Sequence, residues 1–437
     1  MALGLVRAEV ENLFGFVNHR VDVRANDATI LTGPNGTGKT HLLKLIKAVL
    51  TFDAQSLIAT QYELVRLIFE DNTGVLVQRY VDGPEDQDPF VEMIALVDRR
   101  PVGDSLRLDR RVAPRGLPDG IGLVAGQHFV DRQSGLRLPG SFVRSKYGVE
   151  PLLSKSDTTA DHAALIAIAD RPAPVLIETS RLDGIATASA TNEEAAPSAT
   201  ARIDEYIENL RNEIIAAKRT SADVTQSADA SFAERALAVA KETVNETELR
   251  DRYEETVKRF RALSDNALAV GEAPIEFPAV TTPTVRRIMR VFVDDWDRRL
   301  APLLPVNARI TALREILDEK LALSGKSTFI TAEGTLEFRS RDLSKIALSQ
   351  LSSGEKHLVA LFSSLLFSGV QGSLVLIDEP EISLHAAWKH SFIADSARIA
   401  HLMDLQLILA THSTAIINGR WEITEELNFP SREARNA

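Results

Sequence analysis

Residues 33–40 read GPNGTGKT, and the fold turns on them. Gly33, Gly38, Lys39 and Thr40 occupy the fixed positions of the pattern G-x-x-x-x-G-K-[ST], with Pro34, Asn35, Gly36 and Thr37 between them. Glycines at these places let backbone N–H groups curl around an anion. The lysine brings a point charge to terminal phosphates, and the threonine hydroxyl can ligate Mg2+. The flanks agree: ATILTG (28–33) has the texture of a buried strand. HLLKLIKAVL (41–50) places apolar residues at 42, 43, 45, 46, 49 and 50. A strand thus enters the loop, and a helix leaves it with its positive end toward the anion.

Upstream, residues 3–10 and 17–24 alternate apolar and polar around the turn-like NLFGF, which predicts a hairpin. Residues 62–70, 74–81, 90–98 and PVLIET (174–179) read as further strands, and 99–150 as irregular strands and loops. The stretch 184–201 is almost wholly small, polar or acidic, so it is expected to be a flexible loop. Helical spacing follows in Ile203, Ile207, Leu210 and Ile214, then, after a polar break at 219–231, in Leu249, Tyr253, Val257 and Phe260. It continues in Val285, Ile288, Met289, Phe292 and Trp296, and in Ile310, Leu313, Leu317 and Leu321. These make a helical insertion, too short and too broken for a long coiled coil. Strands return at 327–338, 373–378 and 405–411.

Three later motifs bear on chemistry. In SLVLIDEPEISLH (373–385) an apolar strand ends in Asp378, suited to a Mg2+ contact, and Glu379, suited to orienting or deprotonating a water. An apolar strand ending in two acids is common by itself. LSSGEKH (351–357) sets Ser352, Ser353, Gly354 and Glu355 before an apolar helix, which makes either a second anion site or a simple N-cap. ATHS (410–413) puts His412 at the end of a strand, in place to hydrogen-bond a phosphate, although histidines there are usually structural.

Taken in order, the four motifs resemble the ABC-type ATPase heads of the SMC/Rad50/RecF/OLD branch. EPEISLH, ATHSTAIINGRW and SSGEKHLVALFSSLLF are especially similar to AAA_21-type ATPases, among them the ATPase subunits of anti-phage systems such as Septu and PARIS. The specific likeness spans residues 1–50 and 340–425. It implies an α/β P-loop head: a mixed sheet with helices on both faces, an antiparallel β-subdomain and a helical insertion. The implied division is lobe I at 1–183, a flexible loop at 184–200, the insertion at 201–325, lobe II at 326–425 and a tail at 426–437. Asp378 and Glu379 then match the Walker B positions, Glu381–His385 the D-loop and Ser352–Glu355 the signature, with Ser353 where transporters carry glycine. His412 matches the switch histidine. The resemblance implies ATP hydrolysis with Glu379 and His412 catalytic, ATP on residues 33–40, and Mg2+ on Thr40 and Asp378. It also implies a head-to-tail homodimer or higher oligomer, in which Lys39 of one copy and Ser352–Gly354 of the other hold the same ATP. The Q-loop residue stays open between Gln127 and the segment Glu178–Arg181.

Composition narrows the setting. The 437 residues carry 50 Lys+Arg against 61 Asp+Glu, a formal charge of -11, and no cysteine. Disulfide scaffolds, thiolate catalysis and Fe–S clusters are excluded. The N-terminus MALGLVRAEVENLF does not read as a signal peptide, and no stretch reaches the ~18 apolar residues of a membrane helix, so a cytoplasmic protein without membrane contact is expected. The acidic total weighs against coating DNA, because duplex affinity comes from Lys and Arg at phosphates. Arginines cluster at 99–115 and 286–299 but interleave with Asp, which reads as internal pairing or as a phosphate-contacting strip. His385 and His390 do not share a helix face and are not read as metal ligands. No HNH or zinc-nuclease pattern is present, so an effector such as a nuclease is expected to be a separate protein. The leading function is an ATP-driven regulatory subunit of an anti-phage complex. The alternative is a RecF-like repair or chromosome-associated ATPase acting directly on DNA. A small-molecule kinase has no use for a trans-acting signature, and Glu379 disfavours a non-hydrolysing scaffold.

Overall fold

The computed structural model describes residues 4–25, 27–80, 89–109, 121–124, 128–131, 137–138, 163–178, 199–239, 242–269, 271–367, 371–382 and 384–429. The chain is a mixed α/β protein that divides into two compact units, Met1–Ser180 with Gly369–Ala437, and Arg181–Ser368.

In the first unit the hairpin forms as expected, with β1 (Leu5–Leu13) antiparallel to β2 (Val17–Asp22). After β3 (Thr29–Thr32) come helices α1 (Lys39–Leu50) and α2 (Ala54–Ala59). Then follow β4 (Leu64–Phe69), β5 (Thr73–Tyr80), β6 (Phe90–Val97) and β7 (Arg100–Asp109). The hairpin joins the last four in a six-stranded antiparallel sheet, ordered β2-β1-β4-β5-β6-β7. Strands β8 (Ile121–Val124), β9 (His128–Asp131) and β10 (Arg137–Leu138) form a small sheet of their own.

A second sheet has five strands. It is ordered β11 (Val175–Glu178), β15 (Leu374–Asp378), β16 (Gln406–Ala410), β3 and β17 (Thr424–Glu426), and every pair in it is parallel. Strands β15 and β16 are buried at every position, which is why they read as unbroken apolar runs rather than alternating ones. Leu42, Leu43, Leu45, Ile46 and Val49 of α1 are buried in one cluster with Val10, Val65 and Val75 of the antiparallel sheet and Leu376 and Ile408 of the parallel one. The apolar positions of α1 thus meet residues of both sheets, while His41, Lys44 and Lys47 keep to its more open side.

In the second unit, α3 (Ala199–Ala238), α4 (Glu246–Asp265), α5 (Pro283–Leu300), α6 (Leu304–Leu321) and α7 (Ser353–Phe367) accompany a sheet of β12 (Lys326–Ile330), β13 (Leu336–Ser340) and β14 (Lys345–Ile346). Thr282 caps α5 by accepting from the Val285 N–H, and Pro283 follows at a position where its missing donor costs nothing.

Three sequence expectations are revised. The polar break at 219–231 is no break, because α3 runs through it. Small residues form its buried seam there: Ser221 and Ala228 are buried, and the Ser221 hydroxyl donates to Arg299 O at 2.8 Å. The lobe boundaries also shift. Parallel pairing with β3 draws β15 and β16 into the unit of the P-loop, whereas 326–368 stays with the insertion helices. Likewise the expected tail begins inside structure, since Glu426 pairs with Thr32 and Leu427 N–H donates to Thr32 O at 2.8 Å. Of the loop expected at 184–200, all but the first helical residues lies outside the described residues.

Candidate functional site

The site is built at the ends of the parallel strands, where β3, β15 and β16 stop together. Gly33 leaves β3 at φ +144°, and a Cβ on it would overlap Leu427 O. Gly38, at φ +95°, is the residue from which α1 starts, and a Cβ on it would strike the Leu13 side chain. Only glycine fits either place. Lys39 is buried, and its Nζ donates to Gly33 O at 3.0 Å and Pro34 O at 3.1 Å, so the ammonium closes the loop on itself. Burial draws its pKa below the ordinary lysine value, against the pull of Glu379, Asp378 and Glu381. A cation held this way is poised for an anion with more charge to offer than two peptide carbonyls.

Thr40 donates its hydroxyl to Asp378 Oδ1 at 3.0 Å, which brings the two expected metal ligands together across 338 residues of sequence. Burial pushes the Asp378 carboxyl up to about 6; the Thr40 hydrogen bond opposes this, while the charges of Glu379 and Glu178 add to it. Glu178 lies in register with Asp378 on the neighbouring strand and is paired with Lys44 at 2.9 Å. It is the one part of the Q-loop candidates that can be placed, since Gln127 and residues 179–181 lie outside the described residues. Two hard oxygens on different elements, one a buried carboxylate held toward its neutral form, fit Mg2+, which takes one or two protein ligands beside substrate phosphates.

Glu379 follows at φ +48°, a left-handed conformation that a non-glycine residue holds only where its surroundings impose it. Its N–H donates to Ala410 O at 2.9 Å, tying the turn after β15 to the end of β16. This leaves Glu379 Oε1 3.8 Å from His412 Nε2, both side chains about one-third exposed. The His412 N–H donates to Glu381 Oε1 at 2.7 Å.

Pro34, Asn35, Gly36 and Thr37 form the loop itself; the Thr37 hydroxyl donates back to Pro34 O at 3.0 Å. Thr37 also reveals a residue that the motif does not announce. His19 on β2 is buried, and its Nε2 donates to Thr37 O at 2.6 Å. Burial, helped by the nearby Lys39 charge, holds the His19 pKa below the ordinary value, against the Thr37 hydrogen bond. The signal lay in VNHRVD, whose period-2 alternation turns His19 inward with Val17 and Val21.

The signature residues belong to the other unit. Ser352 caps α7: its hydroxyl accepts from the Glu355 N–H, and Glu355 Oε2 accepts from the Ser352 N–H at 2.8 Å, a reciprocal capping box. Glu355 is buried and also bonded to Lys326 Nζ and the Ser324 hydroxyl, each at 2.7 Å. It therefore holds the turn from inside. Ser352 and Ser353 remain exposed and Gly354 is half-buried.

The arginines of 286–299 are largely spent internally. Arg286 pairs with Glu246 at 3.1 Å, Arg290 with Glu242, and Arg299 lies over Trp296. Asp294 and Asp297 both pair with Arg252. In the other cluster Arg107 covers the Phe90 ring, while Arg110, Arg111 and Arg115 lie outside the described residues. No helix among the described residues is long and apolar enough to cross a membrane.

Structural maintenance of chromosomes protein 1 of Schizosaccharomyces pombe is 29% identical over 116 residues, 26% of this chain and only 9% of that protein. The Smc head domain of Pyrococcus furiosus, solved with an extended coiled coil and bound to the C-terminal domain of ScpA, is 14% identical. That alignment covers 94% of this chain and 90% of the other, with a TM-score of 0.33. The SMC head domain from Thermotoga maritima is 11% identical, covering 96% of this chain and 92% of its own, with a TM-score of 0.33. The model of the AAA_21 family, described as AAA domain, putative AbiEii toxin, Type IV TA system, matches residues 180–418. That span includes the capping-box turn, Asp378, Glu379 and His412, and leaves the phosphate loop to stand on its own geometry. More than half of the chain is matched, and the protein belongs to the AAA_21 family.

Proposed function

We propose that this protein binds ATP with Mg2+ on residues 33–40 and hydrolyses it, and that nucleotide closes two copies head to tail as a switch. One observation carries the hydrolytic part: Lys39, Thr40, Asp378, Glu379 and His412 converge at one end of a single parallel sheet. Lys39 exchanges its two loop carbonyls for phosphate oxygens. Thr40 and Asp378 would hold the metal, which when bound neutralises charge on the β- and γ-phosphates. Glu379 accepts a proton from the attacking water or orients it, and His412, beside it, donates to the transferring phosphoryl group. The exposed Ser352 and Ser353, at the positive end of α7, supply the anion contact for the nucleotide of a second copy.

The wider role in this reading is a regulatory subunit of an anti-phage complex, restraining or activating a separate effector. Its support is the family description, which names a toxin of a toxin–antitoxin system. The alternative, an ATPase acting directly on DNA, has the short likeness to a chromosome protein in its favour and the internal pairing of Arg286 and Arg290 against it. Stimulation of turnover by DNA, falling steeply with salt, would favour that alternative.

Glu379→Gln tests the core of the proposal. Turnover should fall roughly 100-fold or more, while the variant binds ATP and becomes dimeric with Mg2+ and ATP in light scattering. A variant that stays monomeric at saturating nucleotide would sink the switch, and one that turns over at the native rate would sink the assignment of Glu379.

A further inference from the structure

The hydrogen bonding around His412 contains one carboxylate that the hydrolytic reading leaves without a task. Glu381 lies two residues past Glu379, in the short helical turn Pro380–Ile382. Its Oε1 accepts the His412 N–H at 2.7 Å. Its Oε2 is buried and has no hydrogen-bond partner among the described residues. A surface glutamate of no consequence would rotate both oxygens into water. Here one oxygen is withdrawn from water, and the other is committed to a backbone donor 31 residues away. The same carboxylate is near enough to Lys39 to act on its charge.

Two hydrogen bonds therefore join the loop after β15 to the end of β16 and the loop that follows it. Glu379 N–H to Ala410 O fastens the first loop to the end of the strand, and His412 N–H to Glu381 Oε1 fastens the second loop back to the first. The Glu379 side chain is set by a strained φ of +48°, which the first bond holds. His412 comes after the last strand residue, Ala410, and the ladder no longer dictates its conformation. The second bond supplies what the ladder does not.

We infer that Glu381 is a positioning residue for hydrolysis: by accepting the His412 N–H it holds the imidazole beside the Glu379 carboxylate, at the 3.8 Å spacing of the two groups. The assignment rests on the ATPase reading above. It requires only an acceptor oxygen at Glu381 and no negative charge, and this distinguishes it from a charge effect on Lys39.

The test compares Glu381→Ala, Glu381→Gln, His412→Ala and the double variant Glu381→Ala/His412→Ala in the full chain. Steady-state turnover, binding of a fluorescent ATP analogue, and amide hydrogen exchange of peptides covering 410–415 are measured. Loss of the tie should lower kcat roughly 100-fold in Glu381→Ala, leaving KM and analogue affinity within about twofold. Glu381→Gln keeps an acceptor oxygen and should stay within about threefold of the native kcat. The double variant should be no slower than His412→Ala, because both act through the same group. Exchange at 410–415 should quicken in Glu381→Ala and not in Glu381→Gln. Native kcat in Glu381→Ala, a Gln variant as slow as the Ala variant, additive losses in the double variant, or unchanged exchange would each overturn the assignment. If the native chain shows no Lys39-dependent hydrolysis, the ATPase reading fails instead, and the exchange measurement still decides whether Glu381 orders the His412 loop.

Discussion

His19 and Asp378 show how single side chains set the state of the loop between them. The His19 imidazole is the internal support of the Thr37 carbonyl, whose neighbouring N–H groups face the phosphates in the proposed ATP complex. His19→Ala removes that donor and leaves a gap beside Lys39. ATP affinity should fall about tenfold, in keeping with one lost buried hydrogen bond of about 1–1.5 kcal/mol, while His19→Gln keeps a donor and recovers part of the loss. Titration with a fluorescent nucleotide checks this. Asp378 gives a pH signature. Its folded pKa of about 6 lies above the ordinary 3.8, so between these values the native state binds more protons than the unfolded one. The sign follows: the nucleotide-free protein loses stability as pH rises through that window and levels off above it. Urea unfolding from pH 4 to 7 should show the native chain losing about 2 kcal/mol relative to Asp378→Asn. A flat difference would contradict the raised pKa. The residue types at both positions are legible in the sequence. Their protonation is not, because it depends on burial by strands distant in the chain.

At the scale of elements, α1 and α3 make opposite points. Helix α1 is legible from its apolar positions, and the burial of Leu42, Leu43, Leu45, Ile46 and Val49 is explained by residues of two sheets meeting on them. Helix α3 is not legible at 219–231 because a seam made of Ser and Ala carries no hydrophobic period. What marks that face is close approach, with Ser221 buried and bonded to Arg299 O of α5. Ser221→Leu should therefore be worse than polarity alone suggests, overpacking the seam and losing the bond at a cost of about 1–3 kcal/mol. Thermal unfolding of the variant checks it, and an unchanged midpoint would mean that the two helices do not meet there. The capping box at Ser352 and Glu355 shows a similar limit. The serine-to-glutamate spacing was visible, but one pattern serves an N-cap and an anion site alike. Only the inward pairing of Glu355 with Lys326 assigns that residue to structure.

Over the whole chain, the first unit depends on contacts between residues hundreds of positions apart. Gln406 begins β16, and its side chain accepts from the Leu5 N–H at 2.8 Å and donates to Leu5 O at 2.7 Å and Arg24 O at 2.9 Å. It thus pins the start of the antiparallel sheet to the parallel one. Gln406→Leu leaves those buried groups unmatched and should cost about 1–3 kcal/mol, lowering the urea midpoint without touching the phosphate loop. A variant as stable as the native chain would show that water or a shift replaces the pin. The sequence alone determined the phosphate loop, the buried strands and the order of the four motifs, because each rests on local conformation or on an unbroken apolar run. Tertiary structure alone decided that Thr40 meets Asp378, that Glu379 turns left-handed beside His412 and that residues 424–427 join the sheet. The physical reason is that these depend on strand pairing between segments up to about 400 residues apart, and parallel pairing is specified by burial and register rather than by any short pattern.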